Sequence, residues 1–355
     1  MKRWMIGVTV LALSVVLAAC GSDSSSSSTE GTGSGEATTT EESTATVEFK
    51  SPTESGLTVG YPEPAGEKEL TIGFPSPTSA SEAIVILEKS MEAAASELGG
   101  KIVKLDAGLD VDKQVTDIQQ LIGQKVDAMV VFPLDSHAVE PAVEQAKKAG
   151  IPVVAIEYNS AEPDNIGPFD TQIVQGTDRL AYEEVKTAAE MLPEGGKVVQ
   201  IGFPAPVPTL VAITEATKKW AKAFGLDYLG RADNATDDIA GGEEAMTGLL
   251  AKYPDAEGVL AYNDASAIGA SAAARTQGKE MYFFGNYGGA SDGITAIESG
   301  RIHGTVVFDQ PGVGKYSVWG AYDLVEDPNA ELPTTVLPGP PVVVTAENVA
   351  EFSTE

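Results

Sequence analysis

From about Lys68 onward, short apolar runs alternate with longer segments whose apolar residues recur at helical spacing. Leu70 to Phe74 is an apolar run stopped by Pro75. The segment after it carries Ile84, Leu87, Met91, Ala95 and Leu98, one face of a helix that Ser79 or Ser81 can cap and Gly99-Gly100 ends. Lys101 to Leu105 is predicted as a strand and Asp110 to Gln124 as a helix. Ala128 to Phe132 is apolar throughout, as in a strand covered on both faces. A helix opened by Asp135-Ser136 runs to Ala149, and the strand Ile151 to Ile156 follows. The rhythm then repeats, with helices predicted over about 178–191, 209–224, 238–252, 265–277, 291–298 and 312–325. Strands are predicted over 197–201, 227–229, 258–262, 281–284 and 302–308, with a last extended stretch over 341–345. Such alternation specifies an α/β chain with parallel sheets and right-handed crossovers. It has too many units for one ordinary sheet, so two similar halves are expected. Ligands of such sheets sit beyond the C-terminal ends of the strands.

The chain before Lys68 follows other rules. Lys2 and Arg3 precede an apolar run, Met5 to Leu17, which is short for a membrane span but suits a signal peptide. Leu17-Ala18-Ala19-Cys20-Gly21 resembles the lipobox of bacterial lipoproteins, which makes residues 1–20 the signal segment and Cys20 the lipidated residue. An ordinary signal peptide that happens to contain a cysteine is the alternative. Residues 21–66 are rich in Ser, Thr and Gly and poor in large apolar residues, so a disordered tether is expected there.

Composition narrows the chemistry. With 23 basic against 52 acidic residues the formal charge is −29, which argues against nucleic acid or an anionic surface as partner. Cys20 is the only cysteine, so no internal disulfide or cysteine zinc site can form. His137 and His303 are far apart and show no metal-ligand spacing; no metal and no cofactor are expected. Gly289-Ala290-Ser291-Asp292-Gly293 fits the G-x-S-x-G nucleophile elbow, with His303 downstream, so a hydrolase using Ser291 is one reading. Glycine and serine are equally ordinary in turns and caps.

The residues that follow the strands carry more. They are Ser76, Thr78, Ser79, Ser81 and Glu82; Glu157, Tyr158 and Asn159; Phe203; Asn263 and Asp264; Asn286 and Tyr287; Asp309 and Gln310. Each alone also serves as a cap or turn residue. Together they set carboxylates, amides and aromatic rings where the fold opens to ligand, the mixture that a polyhydroxylated small molecule needs.

Four stretches resemble the periplasmic sugar-binding proteins of the ribose-binding type, substrate-binding components of ABC importers. They are Phe132 to Val139 with Ala149 to Val154, Leu249 to Ala270 around Asn263-Asp264, Gly285 to Gly293, and Phe308 to Gly314. The resemblance spans about Leu70 to Thr345. It implies the type I periplasmic binding protein fold: two doubly wound parallel-sheet lobes joined by three hinge crossings, near Asp170, near Asp309 and over Leu337 to Pro340. The N-terminal lobe is expected to hold 67–169 plus 310–338, and the C-terminal lobe 170–309 plus 339–355. The family's Asp-Arg pair after the fourth strand is Glu157-Tyr158 here, its aromatic pair after the first strand falls on Ala83 and Ile84, and Tyr287 replaces an aspartate. No arginine occurs over 209–217. The resemblance also makes Ser291 a helix start rather than a nucleophile, so no enzyme activity is expected. The expected protein is a monomeric, lipid-anchored, extracytoplasmic receptor that hands a neutral sugar or polyol to an ABC permease. A sensor lipoprotein of the same fold, or a receptor for a cationic or other small non-sugar ligand, is the alternative. A sugar-responsive repressor would need a DNA-binding segment where this chain has its signal and tether.

Overall fold

The computed structural model describes residues 57–66, 68–159, 162, 164–204 and 206–353. The expected signal peptide, Cys20 and most of the expected tether lie outside the described residues. The chain first lays down β1 (Thr58–Val59), β2 (Thr71–Ser76), α1 (Glu82–Glu97), β3 (Lys101–Asp106), α2 (Val111–Gln124), β4 (Ala128–Val131), α3 (Ser136–Lys148), β5 (Val153–Ile156) and β6 (Thr171–Ile173). It then builds α4 (Thr177–Met191), β7 (Lys197–Gly202), α5 (Pro208–Ala223), β8 (Asp227–Asp233), α6 (Ile239–Lys252) and β9 (Gly258–Ala261). These continue into α7 (Asp264–Thr276), β10 (Tyr282–Gly288), α8 (Ser291–Glu298) and β11 (Gly304–Val307). It closes with α9 (Gln310–Glu326), β12 (Thr335–Leu337), β13 (Val342–Thr345) and a 3-10 turn, Val349–Glu351.

Among the described residues these strands form two sheets, ordered β1-β12-β6-β5-β4-β2-β3 and β13-β11-β10-β9-β7-β8. Every pairing is parallel except that of β13 with β11. The central strands β4, β5 and β9 are buried along their whole length, as their unbroken apolar runs require. No described helix is long and apolar enough to cross a membrane.

The chain passes between sheets over 174–176, 308–309 and 338–341. The first crossing departs from the boundary expected at 169/170. Thr171, Gln172 and Ile173 pair with β5 and β12 inside the first sheet, so the lobe ends after β6. The expected tether boundary at 66 is also corrected. β1 pairs with β12, the Gly60 N–H donates to the Leu337 carbonyl at 2.9 Å, and Tyr61 is buried in the core with its hydroxyl 2.9 Å from Asp323 of α9. The edge strand β8 runs four residues beyond the expected Asp227 to Leu229.

One helix pair sets the geometry of the second lobe. A Cβ at Gly242 of α6 would lie 2.7 Å from the Ser266 Cα of α7, and one at Gly269 would collide with the Ile239 carbonyl and the Glu243 N–H. The two backbones therefore touch with no side chain between them. Gly269→Ala should force them apart and cost about 1–3 kcal/mol by urea unfolding. Tyr61→Ala removes a buried ring and its hydrogen bond and should cost about 3 kcal/mol in the same measurement; an unchanged midpoint would return 57–66 to the tether.

Candidate functional site

The turns that follow the strands are built by a repeated device. Asp110, Asp135, Asp238, Asn263 and Asp309 each take the backbone N–H three residues on, at 2.8–3.0 Å, and so cap the helix that leaves the strand. This brings the C-terminal ends of both sheets to a shared cavity of about 110 Å³. A second hollow of about 400 Å³ adjoins it and shares Ser81, Ala83, Asp237, Asn263 and Tyr287 with it.

Asp237 is the polar centre. It stands in the β8–α6 loop with a left-handed backbone (φ +56°). The loop is held by fully buried Asn234, whose side-chain oxygen accepts the Asp237 N–H at 3.1 Å. Its amide reaches the Asp238 carbonyl at 2.8 Å and the Ser266 hydroxyl of α7 at 2.9 Å. The Asp237 carboxylate accepts from the Asn263 amide at 2.8 Å and from the Tyr262 hydroxyl. Ser81, from the first lobe, lines the same cavity. Burial pushes the Asp237 carboxyl up, and the neighbouring Tyr262, Ser81 and Asn263 side chains oppose the shift.

Aromatic rings flank this knot. Phe203 and Tyr262 pack with centroids 5.9 Å apart, and Tyr287 meets Phe308 edge-on at 5.6 Å. Tyr287 has a left-handed backbone (φ +43°), rare for a bulky residue. Its N–H donates to the Asn286 side chain at 2.9 Å, and its hydroxyl lies 2.7 Å from that of Thr209 and 3.2 Å from that of Thr177. Gln310 enters from the second crossing, and its amide donates to the Ala83 carbonyl at 2.5 Å. Of the expected site residues, Ser81, Phe203, Asn263, Tyr287 and Gln310 line the cavity.

The others are placed elsewhere. Glu157 is fully buried beneath the first crossing, where its carboxylate accepts the Gln175 N–H. Tyr158 faces the opposite side of the chain. It packs on Phe169 at 4.9 Å and donates to Glu140 at 2.7 Å; burial pushes its hydroxyl up to about 12. Asn159 accepts the Glu162 N–H at 3.0 Å and shapes a turn. Ser76 is buried against the Thr78 carbonyl, and Asp309 is an exposed cap. Asn286 is fully buried and donates to Glu184 at 3.2 Å. Asp264 borders the outer hollow and accepts from the Thr305 hydroxyl at 2.5 Å. Sequence reasoning missed Asp237, Tyr262, Thr209 and Gln175 as cavity residues. Tyr262 ends a predicted strand and was within reach of the strand-end rule; Asp237 lies in a loop without periodicity.

Ser291 and His303 do not meet. Ser291 is exposed at the start of α8, beyond the C-terminal end of β10, whereas His303 precedes the N-terminal end of β11 and accepts the Phe283 N–H at 3.1 Å. β10 and β11 are parallel, so the two residues lie at opposite ends of the sheet.

Two buried carboxyls tie the site to pH. Desolvation raises Asp264 to about 7 and Glu184 well above its ordinary value. A raised carboxyl favours the folded state fully below its unfolded value, near 4, and that contribution is lost as pH climbs through the folded value. The urea midpoint should therefore fall between pH 5 and pH 8. Asp264→Asn should flatten that fall, and an unaltered profile in the variant would contradict the assignment.

The chain matches the model of the periplasmic binding protein domain over residues 72–329. It is 31% identical over 250 residues to the ribose import binding protein of Bacillus subtilis, covering 68% of this chain and 77% of that protein. Among solved structures, a solute-binding protein of an ABC transporter from Mycobacterium smegmatis with bound glycerol superposes with a TM-score of 0.72 at 24% identity, covering 81% of this chain and 98% of that one. Another from Bacillus halodurans, with bound myo-inositol, gives 0.70 at 22% identity with the same coverage. Members of this family are binding proteins rather than enzymes. By its two sheets, its interlobe cavity and these matches, the chain belongs to the periplasmic binding protein domain family, of the ribose type.

Proposed function

We propose that this protein captures a small neutral sugar or polyol between its lobes outside the cytoplasm and delivers it to an ABC import permease. The observation that carries this is the carboxylate of Asp237, held by Tyr262 and Asn263 in a cavity lined by both lobes and flanked by aromatic rings. An acceptor of this kind grips hydroxyl donors, and the ring faces suit the C–H surface of a sugar. Neither the cavity nor the hollow beside it is lined by a Lys, Arg or His among the described residues, which disfavours an anionic ligand. The ribose import binding protein of Bacillus subtilis and the glycerol- and myo-inositol-bound structures support the neutral class over a cationic ligand.

The anchoring rests on the sequence. The lipobox at Leu17 to Gly21 supports lipidation of Cys20, and a second acyl chain is needed for stable attachment. The protein acts as a monomer on this reading, each chain closing on one ligand. Glu157, Asn159, Asp264, Asn286 and Asp309 act behind the cavity, by holding turns, crossings and neighbouring side chains.

Thermal unfolding against a panel of sugars and polyols tests the ligand class. A ligand at 100 times its Kd should add about 2.7 kcal/mol of stability. Asp237→Ala should weaken binding of that ligand by roughly 10- to 100-fold, the loss expected for a hydrogen bond to a charged group; undiminished binding would move the site elsewhere. Cys20→Ser should shift the protein from the membrane fraction to the soluble fraction, and retention in the membrane would refute the lipid anchor.

A further inference from the structure

The lining of the cavity is divided in kind. The hydrogen-bonding groups cluster around Asp237 and at the two crossings, and most are already engaged. Asn263 gives its amide to Asp237 and its oxygen to the Ser266 N–H. The Thr209 hydroxyl is paired with Tyr287, Thr78 accepts the Ala80 N–H, and the Gln310 amide holds the Ala83 carbonyl. What remains for a ligand is the Asp237 carboxylate, the Ser81 hydroxyl, the Gln175 side chain and the Gln310 oxygen.

The rest of the wall is mostly carbon, of two kinds: the rings of Phe132, Phe203, Tyr262, Tyr287 and Phe308, and a set of branched aliphatics. Ile84, Leu109 and Leu134 of the first lobe, with Val207 and Leu210 of the second, are branched aliphatics. A flat ring suits the C–H face of a pyranose, whereas branched aliphatics offer a rounded, wholly apolar surface. A hydroxymethyl group placed there would lose its water and find no partner. A methyl group would lose nothing. Leu109 adds an independent sign. Its backbone is left-handed (φ +64°), a conformation uncommon for a bulky side chain, and strain of this kind is characteristic of ligand sites.

We propose that the cleft selects a 6-deoxyhexose, a sugar whose C6 is a methyl group lodged among these aliphatic side chains, in preference to its 6-hydroxy parent. This rests on the reading of the cleft as a sugar site and names the class within it.

Calorimetric titration of the purified protein with matched pairs tests it: L-rhamnose against L-mannose, L-fucose against L-galactose, D-fucose against D-galactose. In at least one pair the deoxy sugar should bind tenfold or more tighter, the order of discrimination an apolar niche exerts against an added hydroxyl. Leu109→Asn should narrow that ratio severalfold while the protein still binds, because asparagine tolerates the left-handed backbone and Leu109 is only half-buried. The proposal is overturned if no pair reaches a tenfold preference for the deoxy member, or if the Leu109 variant keeps the full ratio. Binding of a pentose or polyol with no hexose of either kind overturns it and leaves the sugar or polyol reading standing. Silence across hexoses, pentoses and polyols overturns both.

Discussion

The backbone contact between α6 and α7 is the constraint from which the site follows. Gly242 and Gly269 let the two helices touch without intervening side chains, so their N-terminal ends stand side by side. Asp237 immediately precedes the cap of α6, and Asn263 is itself the cap of α7. Their hydrogen bond is thus a result of helix packing rather than of a flexible loop finding its partner. Asn234 makes the arrangement rigid by bonding to both sides of the junction. A side chain at either glycine would separate the two halves of the polar knot before it touched any ligand.

The same knot explains how a buried carboxylate is tolerated in a mostly apolar cleft. Desolvation of Asp237 is costly, and the hydrogen bonds from Tyr262 and Asn263 offset it. Both residues belong to the second lobe, at the end of β9 and the cap of α7.

Much of this was legible in the sequence, and the failures have physical causes. Long elements announced themselves by period: the apolar runs of β4 and β5 and the helical faces of α1 and α2 appear where they were read. Ser81, Phe203, Asn263, Tyr287 and Gln310 were reached by one rule, that parallel sheets present their C-terminal ends to ligand. The rule gives an address but not a direction. Glu157 and Tyr158 obey it and still miss the cavity, because the Glu157 carboxylate reaches the crossing and the left-handed backbone at Glu157 (φ +54°) turns the chain so that Tyr158 packs against Phe169 and Glu140. β1, β6 and β12 have two or three residues each, too few to show any period. Asp237 has no motif at all; its importance arises only once two distant helices are packed.

The strand β1 has a mechanical meaning. It sits on the outer edge of the first sheet, bonded to β12, and Tyr61 pins the chain beside it to α9. Any pull arriving along the chain from the N-terminal side is therefore taken up by the first lobe and its edge strand. The chain reaches the second lobe only through the three crossings. A tether on the N-terminal side would thus load one jaw of the clamp and spare the other.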